Sequence, residues 1–184
     1  MKLIIIQGAP ATGKTTIGLK LIRDLGYSHL FKDAYKESQY DLLGHLPNFK
    51  EWRQIELAGW QEVYNAIANA QTEDRSLIIE GNFMNPQIKN IRTLIKPNAE
   101  VIELFLFARG WASFTRHIMR NKSGGRHKSH RDHLWYPASF MANLLEIMGM
   151  PINKPLGISE HILKLDTTDF LKVDYQKILA FVKS

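Results

Sequence analysis

With 184 residues, 45% apolar and 23% charged, the chain is long enough for one domain with a real core and too short for two ordinary ones. No run approaches the roughly 18 apolar residues of a membrane-spanning helix, so no membrane association is expected; the absence of cysteine excludes disulfides and thiolate metal sites and fits a reducing, cytoplasmic setting. A net charge of +6 suits a protein that handles polyanions, whether nucleic acid or phosphorylated small molecules, and leaves monomer and dimer equally open.

The opening run Leu3 to Gln7 is too short for a secretory h-region and reads as a strand buried on both faces. Gly13 to Leu25 reads as a helix, with Ile17, Leu21, Ile22 and Leu25 on one stripe and Gly26 as its stop. Ser28 to Lys32 reads as a second strand, and Asp33 to Leu46 as helical in part, ending before Pro47. Glu51 to Ala70 carries the periodicity of a long helix, with Ile55, Ala58, Val63, Ala66, Ile67 and Ala70 inward. Ser76 to Glu80 is a third strand, closed by Gly81, and Pro86 opens a helix as its first residue, running to Lys96. Glu100 to Phe107 is a fourth strand, Trp111 to Asn121 a helix, Lys122 to Asp132 a loop with two glycines, and Leu134 to Met148 a helix. His161 to Leu165 is a fifth strand and Val173 to Val182 a closing helix.

Alternating strands and helices over residues 1–184 predict a single three-layer α/β domain, a parallel sheet of about five strands with helices on both faces. Ligands of such sheets bind at the carboxyl ends of the strands. Gly8 to Thr15, Lys32-Asp33, Glu80 to Asn82, Phe107 to Arg109 and Asp166 to Asp169 are therefore expected to converge on one edge.

Gly8-Ala9-Pro10-Ala11-Thr12-Gly13-Lys14-Thr15 matches G-x-x-x-x-G-K-[ST] in full, the Walker A motif, between a strand and a helix. Its glycines let successive backbone N–H groups face one phosphate, and the helix N-terminus adds partial positive charge. Lys14 is expected on the β- and γ-phosphates, Thr15 on Mg²⁺, and Thr16 beside them, which makes ATP and Mg²⁺ the expected cofactors. The motif alone does not separate kinase, ATPase and GTPase. Asn153-Lys154-Pro155-Leu156 lacks the aspartate of the guanine-reading Asn-Lys-x-Asp, which argues against a GTPase, and the chain is short for a motor ATPase.

Two further features carry charge chemistry. Glu80 ends the apolar run Leu77-Ile78-Ile79, where packing alone does not explain an acid. Between Arg109 and Arg131 lie Arg116, Arg120, Lys122, Arg126 and Lys128 with no acid, and Gly124 and Gly125 give the segment freedom to open and close. Arg116 and Arg120, spaced i, i+4, are expected on one helix face. His127, His130 and His133, without cysteine or a clear acid partner, read as residues near phosphate in preference to a zinc site.

Taken together, the P-loop, Lys32-Asp33-Ala34, Glu80-Gly81-Asn82, Arg116-x-x-x-Arg120 leading into Gly125-Arg126-His127, and Leu165-Asp166-Thr167-Thr168 resemble the adenylate-kinase-like group of P-loop phosphotransferases. The nearest likeness is to the families of polynucleotide 5′-hydroxyl kinases, zeta-toxin-type kinases and small antibiotic or metabolite kinases. That resemblance implies a strand order of 2-3-1-4-5 and a lid over about residues 116–133. It implies transfer of the γ-phosphoryl group to a hydroxyl of a small-molecule or nucleotide acceptor. Lys14, Asp33, Arg116, Arg120 and Arg126 would be catalytic, Asp33 orienting the acceptor hydroxyl and accepting its proton. Glu80 would hold Mg²⁺ through water or, with Asn82, touch the acceptor. Tyr35 and Phe83 could stack on an acceptor ring, and Thr168, with Asp169, would border the adenine. Two alternatives stay open: a kinase of nucleic-acid 5′ ends, and an ATP-binding regulatory module without catalysis.

Overall fold

The computed structural model describes residues 1–44, 48–109, 112–122, 127–130 and 154–184. Five strands make one sheet: β1 (Lys2–Gly8), β2 (Ser28–Phe31), β3 (Leu77–Gly81), β4 (Glu100–Phe107) and β5 (Ile162–Asp166). Their order is β2-β3-β1-β4-β5 and every pairing is parallel, as the resemblance implied.

Apolar residues run continuously along the central strands because both faces are covered. Leu3 and Ile5 of β1 pack with Val63 and Ile67 of α3 (Phe49–Thr72) and with Ile88 and Ile91 of α4 (Asn85–Leu94). Ile4 and Ile6, pointing the other way, pack with Ile17 and Leu21 of α1 (Lys14–Leu25) and with Ile178 and Val182 of the closing helix (Tyr175–Lys183). All six of these strand and α1 aliphatics are at most 2% exposed. Among the described residues no helix is long and apolar enough to cross a membrane.

The differences from expectation lie at element ends and have local causes. Lys32, read as the last residue of a strand, opens α2 (Lys32–Leu43). That helix stops at Gly44, whose φ of 67° is the left-handed conformation glycine adopts without a Cβ clash, three residues before Pro47. Helix α3 starts earlier than its periodicity suggests because Asn48 and Glu51 form a capping box, Asn48 Oδ1 accepting from Glu51 N at 3.0 Å and Glu51 Oε2 from Asn48 N at 2.9 Å. Pro86 is the second residue of α4, after Asn85, where its missing N–H still costs nothing. The same helix ends at Leu94 with Ile95 extended, since the chain must leave the α region before Pro97. Helix α5 is Ala112–Lys122, and a single 3₁₀ turn forms at Lys128–His130 within the expected loop. The helix expected over Leu134 to Met148 lies outside the described residues.

One buried charge organises the far edge of the sheet. Glu103 of β4 is fully buried, and its two oxygens accept four successive backbone N–H groups, from Leu156 (3.0 Å), Gly157 (3.2 Å), Ile158 (2.5 Å) and Ser159 (2.9 Å). The carboxylate thus fixes the chain entering β5, and Gln7 Nε2 anchors the same stretch by donating to the Lys154 carbonyl.

Candidate active site

The loop between β1 and α1 is shaped by two glycines that no other residue could replace without a clash. At Gly8, with φ of 150°, a Cβ would stand 2.1 Å from the Leu106 carbonyl oxygen; at Gly13, with φ of 89°, it would stand 2.2 Å from the Phe170 ring. Ala11 also adopts a positive φ, 61°. The turn is braced inside by Thr12 Oγ1 donating to the Ala9 carbonyl at 2.8 Å, and by Lys14 Nζ donating to the carbonyls of Gly8 and Ala9, each at 3.0 Å. Helix α1 begins with no side-chain cap and no acid in its first turn. Its leading N–H groups and the positive end of its dipole therefore face the loop, an arrangement that attracts an anion.

Beside this loop is a cavity of about 100 Å³, lined by Pro10, Ala11 and Gly13 to Thr16 together with Asp33, Glu80, Asn82, His117 and Arg120. The sheet explains the gathering: Glu80 is near the end of β3, next to β1, Asn82 directly follows that strand, and Asp33 is the second residue of α2, which follows β2 on the other side of β3. Thr15 Oγ1 donates to Glu80 Oε2 at 2.9 Å. Burial, at 8% exposure, pushes the Glu80 carboxyl above its ordinary value; the nearby Asp33 charge adds to the rise, while Lys14, the Thr15 hydrogen bond and Arg120 oppose it. Among the described residues, Asn82 Oδ1 is buried without a hydrogen-bond partner.

Other expected site residues are placed elsewhere. Although i, i+4 on α5, Arg116 and Arg120 do not both line the cavity. Arg116 turns toward β5, its Nη2 donating to the carbonyls of Thr167 (2.7 Å) and Thr168 (2.6 Å), and it does not line the cavity. The pair on the cavity is His117 and Arg120, at i, i+3. Thr168 lies in the same β5-end cluster: its hydroxyl accepts from Arg109 N at 2.8 Å and donates to Asp166 Oδ1 at 2.5 Å, and Asp166 also pairs with Arg109 Nε at 2.9 Å. Phe83 cannot stack on an acceptor, since it is fully buried in the α3 core against the Trp60 ring, centroids 5.4 Å apart. Tyr35 is half-buried, its ring edge over Gly59 of α3.

His127 bonds to Asp41 of α2 through Nε2 (3.0 Å), while its Nδ1 meets Ser129 Oγ (2.8 Å). Among the described residues no three histidines, aspartates or glutamates are grouped as a metal site. Arg126, Gly124, Gly125 and His133 lie outside the described residues. Two residues of the site carry no motif in the sequence: His117, visible only as one histidine in a basic run, and Phe170, whose ring packs on Gly13.

No protein-family model and no curated relative matches the sequence. Solved structures do. A candidate kinase from Chloroflexus aurantiacus is 30% identical, with a TM-score of 0.83 over 99% of this chain and 96% of that one. A gluconokinase from Sinorhizobium meliloti (13% identity, TM-score 0.55, 98% and 89% covered) and shikimate kinase from Acinetobacter baumannii in complex with shikimate (17%, 0.55, 99% and 92%) share the fold. With an intact Walker A loop on the 2-3-1-4-5 sheet and a 30% identical match across nearly all of both chains, the chain belongs to the P-loop kinases and is a phosphotransferase.

Proposed function

We propose that this kinase moves the γ-phosphoryl group of ATP to a hydroxyl of a small-molecule or nucleotide acceptor. The observation that carries the reading is the shared cavity. The P-loop, the Thr15–Glu80 contact, Asp33 and Arg120 all border one space, so a phosphate donor and a hydroxyl can meet there.

The loop N–H groups and the start of α1 bind the phosphates, and Lys14, already bridging the loop, reaches the β- and γ-oxygens. Asp33 orients the acceptor hydroxyl and takes its proton as the acceptor oxygen bonds to the γ-phosphorus and the bond to the β–γ bridging oxygen breaks. Arg120 neutralises charge on the equatorial oxygens. The Thr15 hydroxyl and the Glu80 carboxylate suit a hard cation, being oxygen donors already in contact. Mg²⁺ held there, directly by Thr15 and through water by Glu80, would shield the phosphate charge. Asn82 Oδ1, buried and given no donor by the described residues, suits an acceptor hydroxyl or amine. Arg116 ties down the end of β5 through the Thr167 and Thr168 carbonyls, and Thr168 there borders the adenine.

The test is a screen of hydroxyl acceptors (nucleosides, sugars, aminoglycosides and 5′-hydroxyl oligonucleotides) by ADP release from MgATP. An acceptor that accelerates release and emerges phosphorylated supports the proposal. Tight ATP binding with no accelerating acceptor of any class would instead mark a regulatory module.

A further inference from the structure

Helix α2 begins in a way that its own sequence disfavours. Its cap residue, Phe31, offers no side-chain hydrogen bond, and its first residue, Lys32, puts a cation at the positive end of the helix dipole. A second cation follows one turn later at Lys36, which is 7% exposed. The acid in the first turn is Asp33, which borders the phosphate cavity.

The compensation comes from another helix. Glu56 of α3 takes Lys32 Nζ on Oε2 at 2.5 Å and Lys36 Nζ on Oε1 at 3.2 Å. The two ammonium groups also stand over tryptophan rings of the same helix, Lys32 5.2 Å from the Trp60 centroid and Lys36 5.6 Å from that of Trp52. Among the described residues, Glu56 is the carboxylate that both touch. Burial pushes the Glu56 carboxyl up, but the charges of Lys32 and Lys36 outweigh it and leave the group below its ordinary value, so it is ionised at neutral pH.

We propose that Glu56 is a positioning residue for phosphoryl transfer: by holding Lys32 and Lys36 it fixes the first turn of α2, and with it Asp33, at the cavity. A buried ion cluster is a poor source of stability compared with apolar packing. A two-oxygen clamp on donors one turn apart does what apolar packing does less well, setting both the rotation and the axial position of the helix. Because Asp33 directly follows Lys32, a slip of that turn displaces its carboxylate, and displacements near 1 Å cost a transfer site dearly. The proposal rests on reading Asp33 as the residue that receives the acceptor proton.

Glu56→Gln tests it, because an amide has one oxygen to share between two ammonium groups. ADP release from MgATP is measured with water and with the best hydroxyl from the screen as acceptor. Expected is a fall in kcat of about tenfold to about a hundredfold, with KM for MgATP changed less than about twofold. In an Asp33→Asn background the same substitution should change kcat less than about twofold, a coupling that general loosening of the fold would not produce. Lys32→Met leaves the Lys36–Glu56 pair in charge balance, so it serves where Glu56→Gln does not fold, and should show the same split between kcat and KM. Near-normal kcat in either variant, alongside an impaired Asp33→Asn, overturns the positioning role alone; so does full additivity with Asp33→Asn. Normal turnover in Asp33→Asn itself overturns the proton-acceptor reading and this proposal with it.

Discussion

The hydroxyl of Thr15, on the first turn of α1, donates to Oε2 of Glu80 at the end of β3, 2.9 Å away and 65 residues apart in the chain. This contact joins the start of α1 to the neighbouring strand through two oxygen atoms. It places the most buried acid of the site, 8% exposed, where water would otherwise have solvated its charge.

That position makes Glu80 costly to the fold. Its carboxyl is raised in the folded protein, mainly by burial, above the ordinary 4.5. The folded state therefore binds a proton more readily than the unfolded chain, and stability falls as pH rises through the raised value. Glu80→Gln keeps the shape and removes the charge. It is expected to raise the melting temperature at pH 7–8 by about 2–4 °C, the effect of ~1 kcal/mol in a chain of this length, while greatly reducing transfer. The gain should shrink as pH falls below the ordinary glutamate range, where both states are protonated. A variant destabilised at pH 8 would show that the paired charge stabilises the fold.

Lys14 and Asp33 should separate binding from chemistry. Lys14→Ala is expected to abolish transfer, since among the described residues it is the ammonium that borders the cavity. Asp33→Asn should leave ATP affinity within about twofold and cut turnover on the order of 10²-fold or more, the range of general-base contributions. Steady-state kinetics with the true acceptor decide it; near-normal turnover in Asp33→Asn would remove the proton-acceptor role.

Arg116 and Arg120 are expected to fail in different ways. Arg116 carries two backbone carbonyls of the β5 end, so Arg116→Met leaves them without a donor and should lower stability by about 1–3 kcal/mol. Arg120 borders the cavity, and Arg120→Met should cost turnover on the order of 10²-fold with little change in melting. Thermal melts and kcat on the same two variants check the division; equal kinetic loss with no stability difference would give both arginines a part in transfer.

What the sequence made legible was chemistry carried by neighbours in the chain. The P-loop is eight consecutive residues whose spacing is the mechanism, and apolar runs on the central strands, Leu3 to Ile6 and Leu77 to Ile79, announce a sheet covered on both faces. Contacts between distant elements were less visible. Whether Phe83 stacks on a ligand or packs under Trp60 depends on α3, some twenty residues earlier. Which arginine of α5 meets the cavity depends on carbonyls about fifty residues later. Some boundaries rest on short local signals inside longer patterns: Gly44 stops α2, and Asn48 with Glu51 starts α3.

Glu103 is the sharpest case of a charge whose purpose lies outside its neighbourhood. In sequence it is an acid inside the apolar strand Glu100–Phe107; in the fold it receives N–H groups from four consecutive residues, 156 to 159. Removing it leaves four N–H groups without their acceptor, so Glu103→Ala is expected to cost about 3–5 kcal/mol, at roughly 1 kcal/mol or more for each buried donor left unsatisfied. Glu103→Gln should recover only part of this. Its oxygen can keep one pair of donors, while its NH₂ meets the N–H groups of the other pair head-on. The ordering Ala, Gln, wild type in denaturant midpoint is the expected result. Equal stability of Gln and wild type would mean that the four bonds need an acceptor there but not a charge.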